Sequence, residues 1–265
     1  MKQALGAAAK DLAAYVRALD ENLLEPPLGA KGAAGAVVMP QAAPAAVKPA
    51  AVPAPQAAPA PAAGMDSLAE TVKNCRRCGL GLARLNAVFG VGTYKARVVF
   101  VGEGPGFQED HRGEPFVGLS GQLLDKIIET VLGLKRSDVY IANIVKCHPM
   151  KDPEAPEAHG NDRPPTPEEI SACRPYLDEQ LRFIKPSCIV TLGSVATKVL
   201  LGIDKGISAA RGRWYDYPVE LFGSGHPIKV LPTYHPAALL RNPNLKRDTW
   251  EDMKMLKAFL DKEVK

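Results

Sequence analysis

Arg97-Val98-Val99-Phe100-Val101-Gly102-Glu103-Gly104-Pro105-Gly106, residues 97–106, is the stretch on which the fold turns: a short β-rich apolar run that breaks into glycines. Three further runs of the same kind follow, VYIANIV at 139–145, CIVTL at 188–192 and IKVLPT at 228–233. Between and after them lie amphipathic stretches at 121–132, 166–183, 194–201 and 248–260. In the second of these, Thr166 suits an N-cap, with Pro167 and Glu168 in the first turn. Strands alternating with helices predict an α/β fold, a three-layer α/β/α sandwich around a central four-stranded, mostly parallel sheet. Ligands of such sheets bind beyond the carboxyl ends of the strands, so chemistry is sought in the residues just after each run.

Those residues are distinctive. The first run opens into Gly102-Glu103-Gly104-Pro105-Gly106, whose glycines let a backbone approach a ligand and turn its N–H groups inward. They do not complete a dinucleotide fingerprint, because Pro105 interrupts it and the third glycine is misplaced. Asn143 lies in the second run, followed by Val145-Lys146-Cys147. The last run leads into Tyr234-His235-Pro236-Ala237-Ala238-Leu239-Leu240-Arg241.

Outward from this core the composition changes. Leu5, Leu12 and Leu19, with Ala9, Val16 and Leu23, recur at sevens, which predicts one amphipathic helix over residues 1–25. Alone it is marginal and wants a partner surface, either its own domain or a separate protein. Residues 26–64 hold 16 Ala and 9 Pro and only two charges, Lys31 and Lys48. Such a segment cannot bury a core and is expected as a semi-stiff, disordered tether. Residues 65–265 then read as one domain. No apolar stretch reaches membrane-spanning length. The start of the chain lacks a secretory pattern, so a cytoplasmic protein, associated with the nucleoid, is expected. The net charge of +4 permits nucleic acid without demanding it.

The chain has five cysteines, too few at this length for a disulfide framework. Cys75 and Cys78 form a C-x2-C pair, Cys147 follows the second run, and Cys173 lies within the helix after a Pro-rich loop. These four suit one metal centre, zinc or a four-thiolate iron–sulfur cluster. Each has a cationic neighbour in sequence: Arg76 and Arg77, Lys146, and Arg174. Such charges lower a thiol pKa and offset a cluster's negative charge. Cys188 begins an apolar run and reads as a small buried hydrophobe.

Taken together, Cys75-x2-Cys78, GEGPGFQEDHRGEPFVGLSGQLLDKII (102–128), YIANIVKCHP (140–149), TPEEISACRPYL (166–177) and TYHPAALLRNP (233–243) resemble the family 4 uracil-DNA glycosylases, the iron–sulfur branch of their superfamily. The resemblance covers residues 66–263 and leaves 1–64 as an accessory extension. It implies that Cys75, Cys78, Cys147 and Cys173 hold a 4Fe-4S cluster of structural role. It also implies that Glu103 and His235 are catalytic, that Phe116 stacks on uracil, that Asn143 reads its edge, and that Gly102 and Gly104 line the substrate. Leu239, Leu240 and Arg241 would contact DNA, an apolar wedge plus a cation filling the gap left by a flipped base. Three departures stand out. The family often has Ala where Gly104 stands; 25 residues separate Cys147 from Cys173, with an Ala/Glu/Pro-rich insert at 152–165; and EDHRGEPF puts His111 near the expected pocket entrance.

The implied activity is monofunctional hydrolysis of the N-glycosidic bond of uracil in single- or double-stranded DNA, by base flipping, leaving an abasic site. A non-catalytic iron–sulfur nucleic-acid-binding module in a replication or repair complex is the alternative. The joint presence of Glu103, Phe116, Asn143 and His235 opposes it. A redox protein on a nucleotide-binding sheet is a third reading.

Overall fold

The computed structural model describes residues 64–217 and 228–262. The helix expected over 1–25 and the tether over 26–64 lie outside the described residues, apart from Gly64. Six strands form one sheet: β1 (Val91–Gly92), β2 (Val98–Gly102), β3 (Tyr140–Asn143), β4 (Cys188–Leu192), β5 (Tyr215–Asp216) and β6 (Lys229–Thr233). Their order is β1-β3-β2-β4-β6-β5. The four central strands are the four apolar runs of the sequence, all parallel to one another. The two-residue strands β1 and β5 add an antiparallel margin at each edge. They are too short to carry a periodic signal, so the sequence pattern passes over them.

The helices are α1 (Met65–Lys73), α2 (Leu80–Ala83), α3 (Phe107–Arg112), α4 (Leu119–Ile127), α5 (Pro167–Ile184), α6 (Ser194–Leu201), α7 (Ile207–Ala210), α8 (Pro236–Arg241) and α9 (Lys246–Lys262). Side chains alternate across a strand, and the two cores follow that period. Val99, Val101, Tyr140, Ala142, Ile189 and Val230 face α1, α5 and α6. Val98, Phe100, Ile141, Val190, Leu192 and Leu231 face α4, α8 and α9. Every residue of β2, β3 and β4 is buried, which is why these strands read as unbroken apolar runs. Cys188 is fully buried, as its apolar setting predicts.

Local chemistry sets the boundaries. At the start of α5 the Glu169 amide donates to Thr166 Oγ1 at 3.3 Å, and the Thr166 amide donates to Glu169 Oε2 at 2.8 Å, with Pro167 in the first turn. The helix expected at 121–132 begins earlier, at Leu119, and ends in a π-helical turn, Ile128–Leu132. Within β6, Pro232 pairs with Thr191 on one side and lies beyond the stretch covered by β5, where a residue without an N–H is tolerated.

The chain leaves β2 toward α3 and α4 on one face and leaves β4 toward α6 on the other. The carboxyl ends of β2 and β4 therefore flank a switch point, the place where open α/β sheets bind ligands. β3 also runs on past its end: the Ile144 amide donates to Gly102 O at 2.9 Å and the Val145 amide to Glu103 O at 3.2 Å. This fixes the glycine loop against the chain leading to Cys147.

Candidate active site and thiol pocket

A cleft of about 890 Å³ opens at the switch point. Glu103, Gly104, Phe116, Asn143, His235, Leu240 and Arg241, seven of the residues singled out from sequence, line it together. They come from four chain segments.

Asn143 ends β3, is 2% exposed, and its side-chain oxygen Oδ1 has no hydrogen-bond partner among the described residues. Leaving such an atom buried and unmatched costs about 1–3 kcal/mol. Gly102 is paired with Asn143 across the sheet. A Cβ there would lie 2.4 Å from Asn143 Oδ1 and 2.6 Å from Phe116 Cζ. Gly102, which the resemblance places against the substrate, is not among the residues lining the cleft. It sits beneath the site, and its bare Cα lets Asn143 and Phe116 come together.

Phe116 is buried and holds a left-handed backbone at φ 54°, a conformation costing about 1–3 kcal/mol for a residue with a side chain. Two features hold it there. Glu109 Oε1 accepts from the amides of Val117 and Gly118 at 2.9 and 3.1 Å, while Oε2 accepts from Gly106 at 3.2 Å. Gly121 passes so close that a Cβ would fall 1.9 Å from Phe116 O. Glu109 therefore ties the glycine loop to the Phe116 loop. The sequence reading missed it, although the short spacing from Gly106 to an acidic residue is a helix-start signal.

His235 caps α8: the Ala237 amide donates to its Nδ1 at 3.2 Å. Nδ1 is therefore the unprotonated nitrogen, and the neutral ring carries its proton on Nε2. Burial, reinforced by the Arg241 charge, pulls its pKa down to about 4. Its ring centroid lies 5.5 Å from that of Phe116, inclined by 31°. Glu103, at the mouth of β2, has its carboxyl raised above the usual range by burial.

The expected DNA wedge divides. Leu239 is fully buried and packs in the core with Phe116 and Leu123, so it cannot contact DNA. Leu240 and exposed Arg241 line the cleft. One turn of helix presents successive residues to different sides, so adjacent leucines cannot share a role. His111 does not line the cleft. Its Nε2 meets Glu157 Oε2 at 2.9 Å, and Phe107 lies between the rings of His111 and His159.

Beyond Asn143 the chain enters a second, denser region. Cys147 and Cys173 are buried, Cys75 and Cys78 partly so, and all four pack in one core cluster. Cys147 Sγ accepts from Arg84 Nη1 at 2.9 Å. Cys75 Sγ accepts from Tyr176 Oη at 3.2 Å and the Arg77 amide at 3.5 Å, and Cys173 Sγ from the Lys146 amide at 3.2 Å. The amides of Leu80 and Gly81 face Cys78. The sequence neighbours foretold this only in part. Arg174 is turned away to Asp178 and Tyr217, and the cation at Cys147 is Arg84, 63 positions away.

Burial, with the charge of neighbouring thiols adding to it, pushes the Cys147 pKa to about 12 and that of Cys173 to about 11. As bare thiols these stay protonated near neutrality; a positively charged core in place of the protons would hold them as thiolates. Four sulfurs ringed by N–H and O–H donors match what an iron–sulfur core requires of its surroundings. Among the described residues, no three His, Cys, Asp or Glu side chains are grouped closely enough to hold a single metal ion.

The family model of the uracil DNA glycosylase superfamily matches residues 89–254, and the chain belongs to that superfamily. Within it, a type-4 uracil-DNA glycosylase of Saccharolobus solfataricus is 41% identical over 200 residues, 74% of this chain and 86% of that protein. One of Sulfurisphaera tokodaii is 43% identical over 199 residues, covering 74% and 84%. One of Thermotoga maritima is 42% identical over 202 residues, covering 75% and 96%. The chain is a member of this type-4 family.

Proposed function

We propose that this protein is a DNA-repair glycosylase that hydrolyses the N-glycosidic bond of uracil in DNA and leaves an abasic site. The observation that carries the reading is the buried, unpartnered Oδ1 of Asn143, set beside the Phe116 ring and the neutral imidazole of His235.

A uracil in duplex DNA is stacked, so it must be turned out to reach the cleft. Its ring then lies on Phe116, a contact worth roughly 1–3 kcal/mol. The Asn143 amide accepts from uracil N3–H and donates to O4. Cytosine has no N3–H and carries an amine in place of O4, so both halves of the amide are mismatched. Sites built on such pairing discriminate by about 10⁴–10⁵. As the glycosidic bond breaks, negative charge moves onto the departing base. The His235 Nε2–H supplies a fixed donor there, and a neutral imidazole holds its proton rather than surrendering it. Glu103, raised in pKa and lining the cleft, is the group to orient the attacking water. No Schiff-base step is part of this reading, and the cleft's lining among the described residues holds Arg112, Arg163 and Arg241 as its cations. Leu240 fills the space the base has left, and Arg241 meets a phosphate.

Cys75, Cys78, Cys147 and Cys173 would hold a 4Fe-4S cluster. When bound it supplies a structural anchor joining α1, α2 and α5 to the chain after β3. A non-catalytic nucleic-acid-binding module would leave the buried, unmatched Asn143 oxygen without a purpose. The test is a single-turnover assay on a uracil-containing oligonucleotide, followed by alkali. Strand breaks at uracil and none at cytosine are expected; no breaks in either single- or double-stranded substrate discards the reading.

A further inference from the structure

One buried cation takes no part in this mechanism. Lys146 is 1% exposed and ranks among the largest fully buried side chains. Both oxygens its ammonium reaches are neutral: Asn143 O at 2.9 Å and Gln180 Oε1 at 2.6 Å. Gln180 is fully buried and anchored in turn, its Nε2 donating to Phe89 O at 2.9 Å and Tyr140 Oη at 3.0 Å. The main chain of Lys146 is equally committed. Its amide donates to Cys173 Sγ at 3.2 Å, and its carbonyl accepts from Val88 at 2.8 Å. A single residue therefore touches a sulfur of the thiol pocket and the backbone of the base-reading asparagine.

Burying a cation is costly, and besides these neutral oxygens its charge faces only the sulfurs of Cys173 and Cys147 among the interactions that shift it. What it does locally is specific. Asn143 is the last residue of β3; beyond it the Ile144 and Val145 amides still bond to Gly102 O and Glu103 O, while its side-chain Oδ1 is without a partner among the described residues. No polar group among the described residues fixes that oxygen, so its position depends on the backbone. Polar groups that read a substrate must be held within about 0.5 Å, and a 1 Å misplacement can cost about 10²-fold in rate.

We propose that Lys146 is a positioning residue for uracil excision: with Gln180 it clamps the Asn143 carbonyl and ties the reading amide to the thiol pocket through Cys173. This rests on the uracil-reading role of Asn143 given above.

The test is a double-mutant cycle on the full-length, iron-loaded protein, in single turnover on a uracil oligonucleotide. Iron content, visible absorbance and melting temperature are measured alongside. Lys146→Met is expected to slow excision roughly 10–100-fold with iron content unchanged. In an Asn143→Ala background the same change is expected to cost less than about twofold, because the two act as one unit. Gln180→Leu, which spares the lysine and the cysteines, is expected to slow excision roughly 3–10-fold by the same route. Effects that multiply in the cycle, or a Lys146→Met rate within about twofold of the parent, overturn the proposal. So does a rate that falls only in proportion to lost iron, since Lys146 would then serve the cluster alone. If Lys146→Met does not fold, an unchanged rate in Gln180→Leu overturns it, and a slowed, iron-replete Gln180→Leu supports it. An Asn143→Ala variant as fast as the parent would instead remove the reading on which the clamp depends.

Discussion

The cleft and the thiol pocket come within four positions of each other along the chain, at Asn143 and Cys147, yet they treat their polar atoms in opposite ways. In the cleft, Asn143 Oδ1 is unmatched among the described residues, His235 bonds to the Ala237 amide through Nδ1, and Glu103 sits at the wall with its charge disfavoured by burial. In the thiol pocket each sulfur faces N–H or O–H donors, from Arg84, Tyr176, the Lys146 and Arg77 amides, and the amides after Cys78. Unspent hydrogen-bonding capacity is tolerable only where a ligand comes and goes. Sulfurs ringed with donors suit a permanent charge, because those contacts stabilise thiolates whenever the chain is folded. On the proposed function, one region serves a visitor and the other a resident.

That contrast can be broken at either end. The largest effect is expected from Cys75→Ala, which should strip iron from the protein, bleach its visible absorbance and lower its melting temperature, with excision lost as a consequence. A colourless, zinc-loaded parent purified without oxygen would undo the resident half of the comparison. Asn143→Ala should behave in the opposite manner: iron and melting temperature unchanged, excision down by roughly 10²–10³-fold. A large loss of melting temperature in that variant would make Asn143 a scaffold residue instead.

His235 should show its neutrality in the pH profile. Its folded pKa of about 4 is below the ordinary value of 6.5. The stability it contributes is therefore complete above pH 6.5 and is lost as pH falls through about 4. Excision should show no limb from this residue between about pH 5.5 and 8, and His235→Ala should slow it about 10²-fold throughout. An acid limb centred near 6.5 that vanishes in the variant would show that the ring titrates and works as a cation.

Phe116→Ala removes a stacking contact of roughly 1–3 kcal/mol, so kcat/KM should fall about 5–150-fold. The smallest effects belong to the rim. Arg241→Ala should weaken DNA binding and reduce its salt slope by about one. Leu240→Ala should slow excision from duplex a few-fold while sparing single strands; equal losses on both substrates would argue against a wedge.

Much of this was legible along the chain. The four central strands, the cap and start of α5, and the four thiols follow from near-neighbour rules: apolar runs, a capping box, a C-x2-C pair with two later cysteines. Phe116, Asn143 and His235 announce themselves through motifs, and the structure brings them to one cleft. Edge strands β1 and β5 could not be read, because two residues hold no period and their pairing is imposed by β3 and β6. Other assignments needed the folded chain. Leu239 and Leu240 are adjacent and chemically identical, and only the packing of α8 against α4 sends one inward and the other to the cleft. Arg174 neighbours a cysteine in sequence, yet Arg84, 63 positions from Cys147, is the residue that reaches a sulfur. The buried Lys146 likewise depends on distant groups, Cys173 and Gln180, whereas the left-handed backbone of Phe116 and the Glu109 bridge rest on near neighbours that follow no regular period. Sequence spacing specifies period and local hydrogen bonding; which distant partners meet is decided by how the layers pack, and that carries no local signature.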